Sequence, residues 1–197
     1  MARPHTALRI AALAAVAALA AAGPAGAAKR IVRSDPPLFP SFAGDTRDYV
    51  VRCNSGERVK LSVTPPDGTR VRVAGGSARR GSFKRDVSLD PGRAFAIAVR
   101  RSDGRRRTHH VRCLPRDFPR WKVKRRDTPQ AVWYLLTPSE FNLEKPGYVA
   151  LFDARGVPVW WRTGTPPPFD AHLLPDGNLA WTRIAINNPA SGPAEEH

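Results

Sequence analysis

Three features of this 197-residue sequence predict an all-β fold. Between residues 36 and 115 apolar residues recur at every second position, the period of a half-buried strand, and no helical period is present. Short turn signals separate these runs at close intervals. Gly 15 and Pro 20 exceed ordinary usage and favour many short elements over long helices.

The first 28 residues read as a secretory signal. Arg3 and Arg9 make a basic start, Ile10–Ala22 is a continuous apolar run, and Ala25-Gly26-Ala27 is a small-x-small cleavage site. The run is shorter than the ~20 apolar residues a membrane-spanning helix needs. No Arg-Arg pair suggests twin-arginine export, and no later segment is apolar enough to span a bilayer as a helix. The expected location is secreted or cell envelope, and removal of the signal leaves a net charge of +13 from the original +15.

Residues 36–115 are predicted to form a β-sandwich. The apolar faces are Tyr49, Val51 and Cys53; Val59, Leu61 and Val63; Val71 and Val73, with Arg70 and Arg72 outward; Phe83, Val87 and Leu89; Phe95, Ile97 and Val99; and His109, Val111 and Cys113. Pro65-Pro66-Asp67-Gly68, Ala74-Gly75-Gly76-Ser77, Asp90-Pro91-Gly92 and Ser102-Asp103-Gly104 are the turns. Arg105-Arg106-Arg107 reads as a solvated hairpin tip. His109 and His110 are strand neighbours, so they point to opposite faces and make a poor metal pair.

Cys53 and Cys113 are the only cysteines. In an exported protein they are expected to pair; two free thiols or a redox pair are the alternatives. Each follows Val-Arg and sits on the apolar face of its strand, which places the two strands side by side with the bridge inside. Closing this loop stabilises by roughly 4 kcal/mol on the chain-entropy account.

Residues 116–128 are basic and read as a linker. From 129 to 186 the texture changes to short aromatic-rich strands: Ala131–Leu136, Tyr148–Phe152, Val157–Trp161, Ala171–Leu174 and Asn178–Thr182. Four or five such strands over about 55 residues fit one blade of a β-propeller. One blade cannot bury both faces of its sheet, so exposed apolar surface is expected around Trp160, Trp161 and Trp181, and the chain reads as the front portion of a longer protein. Residues 187–197 read as an irregular tail.

The 32 basic residues are 26 Arg and 6 Lys against 17 acids. With the Ala, Pro and Gly enrichment, this is the bias of a GC-rich genome, but a basic chain also gathers acidic polymers. Phosphate-binding, serine-hydrolase, zinc-protease and Cys-x-x-Cys motifs are absent from the sequence. Neither a metal site nor a cofactor is predicted, and nucleic acid is not the expected partner.

Two resemblances follow from particular residues. Phe39–Phe42, Thr46–Val51, Val71–Gly76, Val87–Gly92 and Ser102-Asp103-Gly104 before His109-His110-Val111 resemble, in order, the cadherin-like (Ig-like) β-sandwich module of bacterial envelope proteins. That resemblance implies an accessory or adhesive role. Leu151-Phe152-Asp153-Ala154-Arg155-Gly156 running to Val159-Trp160, and His172-Leu173-Leu174-Pro175-Asp176-Gly177-Asn178, resemble two hairpins of the arylsulfotransferase family. Similar hairpins occur in other propellers, such as quinoprotein dehydrogenases.

The arylsulfotransferase resemblance implies sulfuryl transfer from an aryl sulfate to a phenol through an enzyme histidine, without a nucleotide donor. In that family the active-site histidines stand as His-Asp in later blades. His172 is the weak catalytic candidate of this chain, with a plain hydrogen-bonding role as its alternative; Arg162 and Arg183 are weak candidates for substrate contact. The expectation is thus a fragment of such an enzyme, inactive alone. A module that binds anionic cell-envelope polymer or a protein partner is the second reading, and a quinoprotein or sugar-binding propeller the third.

Overall fold

The computed structural model describes residues 31–124, 127–140 and 142–183. The signal segment 1–28, residues 184–186 of the last strand region and the tail 187–197 lie outside them. The described residues are all-β, with twelve strands and no helix.

Seven strands build the first unit: β1 (Val32–Asp35), β2 (Asp48–Arg52), β3 (Glu57–Val63), β4 (Arg70–Val73), β5 (Phe83–Leu89), β6 (Ala94–Arg100) and β7 (Arg106–Leu114). They form two sheets, β1-β3-β5 and β2-β7-β6-β4. All pairings are antiparallel except β2 with β7, which is parallel. The inward faces of both sheets meet in one core that contains Val59, Leu61, Val63, Val71, Ile97 and Val111. These are the alternate positions that the strand period selects, and each is removed from water to within 1 %.

Two strand boundaries differ from the sequence reading. Strand β1 lies ahead of residue 36 and pairs with β3 from Val32 opposite Val63 to Asp35 opposite Lys60. Strand β7 begins at Arg106, so Arg106 and Arg107 belong to a strand and the tip is Arg101–Arg105. The tip is closed by the Asp103 carboxylate, which accepts the Arg105 N–H at 3.0 Å. Gly68, at φ +73°, approaches this tip so closely that an added Cβ would lie 2.9 Å from Ser102 Cβ.

The second unit holds β8 (Trp133–Leu136), β9 (Gly147–Asp153), β10 (Pro158–Gly164), β11 (Pro168–Leu173) and β12 (Leu179–Arg183). Its five strands divide into an antiparallel sheet β10-β9-β8 and a separate β11-β12 hairpin. Both quoted hairpin motifs fold as hairpins. Asp153 Oδ1 accepts the N–H groups of Arg155 and Val157 at 2.9 and 2.8 Å, and Asp176 Oδ1 accepts that of Asn178 at 2.9 Å.

The segment read as a linker is packed. Phe118 is 2 % exposed and sits in a second core with Val50, Leu114, Tyr148, Phe152 and Val157. Val50 and Leu114 come from the outward face of β2 and β7, so the first unit supplies part of the wall of the second. Arg52 holds the connection, donating to the carbonyls of Arg116, Phe118 and Pro119 at 2.9, 2.6 and 3.2 Å. Trp121 Nε1 donates to the Gly156 carbonyl at 2.9 Å, and Val123 covers the same glycine, where φ is +76°. Burial of a side chain such as Phe118 is worth about 2–3 kcal/mol.

The exposed apolar surface is not where the sequence reading put it. Trp160, Trp161 and Trp181 are half-buried, Trp161 against Phe118 at 6.3 Å between ring centroids. In the second unit the exposed positions are Val132, Trp133, Tyr134 and Leu136 on or beside β8, Leu143, and Leu173 and Leu174 at the β11 turn. Strand β8 is an edge strand, covered on one side only by β9.

Candidate functional site

Cys53 and Cys113 form the disulfide. Their Cα atoms are 5.6 Å apart and both side chains are wholly buried. The pairing follows from register: β2 and β7 run parallel with Val51 opposite Cys113, and Cys53 leaves the end of β2 beside it.

His109 and His110 diverge, as the strand period requires. His109 is 1 % exposed and packs on Phe42 at 4.7 Å, while His110 is exposed. His109 Nδ1 lies 2.6 Å from the Thr46 carbonyl oxygen, which can only accept, so Nδ1 carries a proton and donates it. Burial is the main force that holds the His109 pKa below its ordinary value, and repulsion from Arg107 adds to it. Beside it, the Tyr49 hydroxyl lies 2.6 Å from the Ala43 carbonyl and accepts the Ala43 N–H at 3.0 Å, tying the 43–46 loop to the sheet.

The three enzyme candidates do not converge. His172 Nε2 is 3.2 Å from Asp170 Oδ2, but both side chains lie on the exposed face of β11, 57 % and 74 % open to solvent. His172 stands opposite Ala180 and Pro168 opposite Arg183. Three residues of strand, about 10 Å at ~3.3 Å each, therefore separate the partner of His172 from Arg183. The Arg183 guanidinium instead reaches Gly164, at the end of the strand that carries Arg162. Arg162 on β10 and Arg183 on β12 belong to different sheets, and His172 points out at the other end of its hairpin from Arg183. Among the described residues no group of three or more His, Cys, Asp or Glu is placed to hold a metal ion.

Three clefts are more developed. One, of about 680 Å³, lies beside the β6–β7 tip and is lined by Asp45, Asp67, Arg101, Arg105, Arg106 and His109. Another, of about 670 Å³, lies at the junction of the two units, with an apolar floor of Phe39, Val50, Leu114 and Trp121 and a cationic rim of Arg120 and Lys122. No histidine lines it. The third is a smaller pocket of about 230 Å³ at the end of the β4–β6 pair, lined by Arg70, Arg80, Arg100 and Arg101 with the Gly68, Ser102 and Gly104 turns, and by no carboxylate.

Charge is unevenly placed. Residues 31–115 hold 18 Lys and Arg against 8 Asp and Glu, a net +10, whereas residues 129–183 hold 4 against 5, a net −1. Within the first unit the two outward faces also differ. On the β1-β3-β5 face Lys60 stands between Asp35 and Asp86 in register. On the β2-β7-β6-β4 face Arg70 stands opposite Arg100, and Arg100 opposite Arg106. This row of three like charges crosses three adjacent strands. The sequence shows Arg70 and Arg72 as outward-facing, but only the register aligns Arg70, Arg100 and Arg106.

Comparison with protein-family models, with curated proteins and with solved structures found no match to this chain.

Proposed function

We propose that this protein is an extracytoplasmic binding module for an anionic polymer of the cell envelope. The observation that carries the reading is the net +10 of the two-sheet unit, set against a near-neutral second unit. Mutational drift toward arginine would spread over the whole chain; the excess instead lies in residues 31–115 and in 116–128, with 6 Lys and Arg against 2 Asp, and is absent from 129–183, which speaks for a ligand. The signal-like start and the buried cystine support an oxidising, extracytoplasmic setting. The two-sheet unit is read as a cadherin-like module that supplies the adhesive surface. Retention of the purified chain on immobilised heparin, polyphosphate and polyglutamate at low salt tests the proposal. With about five anion contacts, binding is expected to weaken about a hundredfold between ~50 and ~200 mM salt. Failure to bind any of the three at the lowest salt would overturn it.

A second reading, the front part of an arylsulfotransferase-like protein, is favoured by the two motif hairpins, which fold as hairpins at the quoted residues. In it the junction cleft suits an aryl anion, with Trp121 for the ring and Arg120 and Lys122 for the sulfate. His172 would be the nucleophile only if other groups were brought to it. Transfer of a sulfuryl group from an aryl sulfate to a phenol by the purified chain, abolished in His172→Ala, would establish this reading in place of the first.

A further inference from the structure

We propose that the outward face of β4, β6 and β7, away from the covered end at Val50 and Leu114, is the binding site, and that it takes a linear, base-free phosphate polymer along a groove over β6. This rests on the anionic-polymer reading above and names its site and ligand.

The floor of the groove is set by residue size. Strand β6 turns Phe95, Ile97 and Val99 into the core, so Ala94, Ala96, Ala98 and Arg100 face outward. Three alanines leave the middle strand low. Its neighbours are taller: Arg70 and Arg72 on β4, and Arg106, Thr108, His110 and Arg112 on β7. Adjacent strands are ~4.8 Å apart, which leaves a channel about two strand spacings wide, open along β6.

The charge of the groove is unopposed at one end. Arg70, Arg100 and Arg106 are aligned across the three strands, and Arg80 joins Arg70 and Arg100 around the carboxylate-free pocket. Directly opposed like charges destabilise a sheet. An unliganded sheet gains nothing from such a row, whereas a bound polyanion turns each repulsion into an attraction. Of the acids around the face, Asp48 pairs with Arg112 at 2.6 Å and Asp103 lies 3.8 and 3.9 Å from Arg101 and Arg105, while Asp67 lines the neighbouring cleft beside Arg106 and does not line the pocket of Arg70, Arg80 and Arg100.

The chemistry of the face narrows the ligand. Guanidinium forks match tetrahedral oxyanions through paired N–H donors. No Phe, Tyr or Trp stands on the outward positions of β4, β6 and β7, and His110 is the one ring there, so the face lacks a row of aromatic platforms for successive bases, which disfavours single-stranded nucleic acid.

The test is a salt titration of the full chain with polyglycerol phosphate. Three proteins are compared: wild type, the face variant Arg70→Ser/Arg100→Ser/Arg106→Ser, and a control with equal charge loss on the opposite sheet, Arg33→Ser/Arg58→Ser/Lys84→Ser. The face variant is expected to bind about tenfold or more weakly, with the log–log salt slope reduced by about 2, while the control changes less than about threefold. Thermal melting checks folding: removal of the like-charge row should leave the melting temperature equal or higher. Should the triple variant melt lower, the single Arg100→Gln substitution carries the test, with a loss of about threefold expected and an unchanged affinity overturning the site. Equal losses in the face and control variants would remove this site yet leave polymer binding in place. No binding by wild type at low salt to this or any of the three polyanions would remove both. Tighter binding to single-stranded DNA or to heparin than to polyglycerol phosphate would overturn the ligand class.

Discussion

The two units solve the burial problem differently. In residues 31–115 each sheet covers the other, a cystine joins neighbouring strands, and an ionisable side chain, His109, is buried with its pKa lowered by that burial. In residues 129–183 a three-stranded sheet leans on a wall made by Val50 and Leu114 of the first unit and Phe118 of the connecting segment, and the separate hairpin packs against β9 and β8. The first unit is closed and strongly basic; the second is half-covered and near neutral. A sheet buries its apolar face only when something of matching size lies on it. The second unit has such a cover on its Phe118 side and none over Trp133, Leu136 and Leu173.

The largest expected effect breaks the joint. Phe118→Ala should cost about 3–5 kcal/mol of the stability of the second unit, since it leaves a cavity among Tyr148, Phe152 and Trp161. Hydrogen exchange should show β8, β9 and β10 losing protection while β3 and β6 keep theirs. Equal loss in both units would show that they unfold as one.

A smaller effect should appear with pH, and only in the first unit. The folded-state pKa of His109 lies below the ordinary histidine value of 6.5, so the unfolded chain binds the proton more readily. Stability from this residue is complete above about pH 6.5 and is lost as the pH falls from there toward the lowered folded value. Chemical denaturation between pH 4.5 and 7.5 should show this decline in wild type, and His109→Gln should flatten it. A decline of unchanged size in the variant would assign it to other groups.

The smallest effect is on surface chemistry. A hydrophobic dye should bind the folded chain, and Trp133→Ser/Leu136→Ser should lower that binding with a stability change within about 0.5 kcal/mol, as usual for exposed positions. Dye binding that survives this pair but falls in Trp160→Ser would return the exposed surface to the region of Trp160, Trp161 and Trp181.

Most of the first unit was legible beforehand because its signal is local. A strand with one face buried alternates with period two, so Val59, Leu61 and Val63, or Phe95, Ile97 and Val99, declare their face without knowledge of any partner. The cysteine pairing was legible for the same reason, through phase. Strand β1 escaped because four residues holding one buried apolar side chain, Val32, make too short a pattern to stand out. The segment 116–128 misled because its charges outnumber Phe118 and Trp121, and composition does not reveal that two aromatics can anchor a basic stretch.

Of the candidate sites, sequence reasoning named individual residues but not their company. His172, Arg162 and Arg183 lie on two hairpins whose registers turn them apart, and no motif spacing records that. The arginine row is the converse case: Arg70, Arg100 and Arg106 are scattered in sequence and acquire meaning only as neighbours.

The amino-acid sequence by itself determined the strand class, the inward faces, the cystine and the basic excess, because each depends on period, phase or composition. Tertiary structure alone decided that Val50 and Leu114 serve a second core, that Arg52 clamps the connection, and that three arginines align across a sheet. Those outcomes depend on strand order and register, which arise from contacts between residues far apart in the chain and therefore leave no local pattern to read.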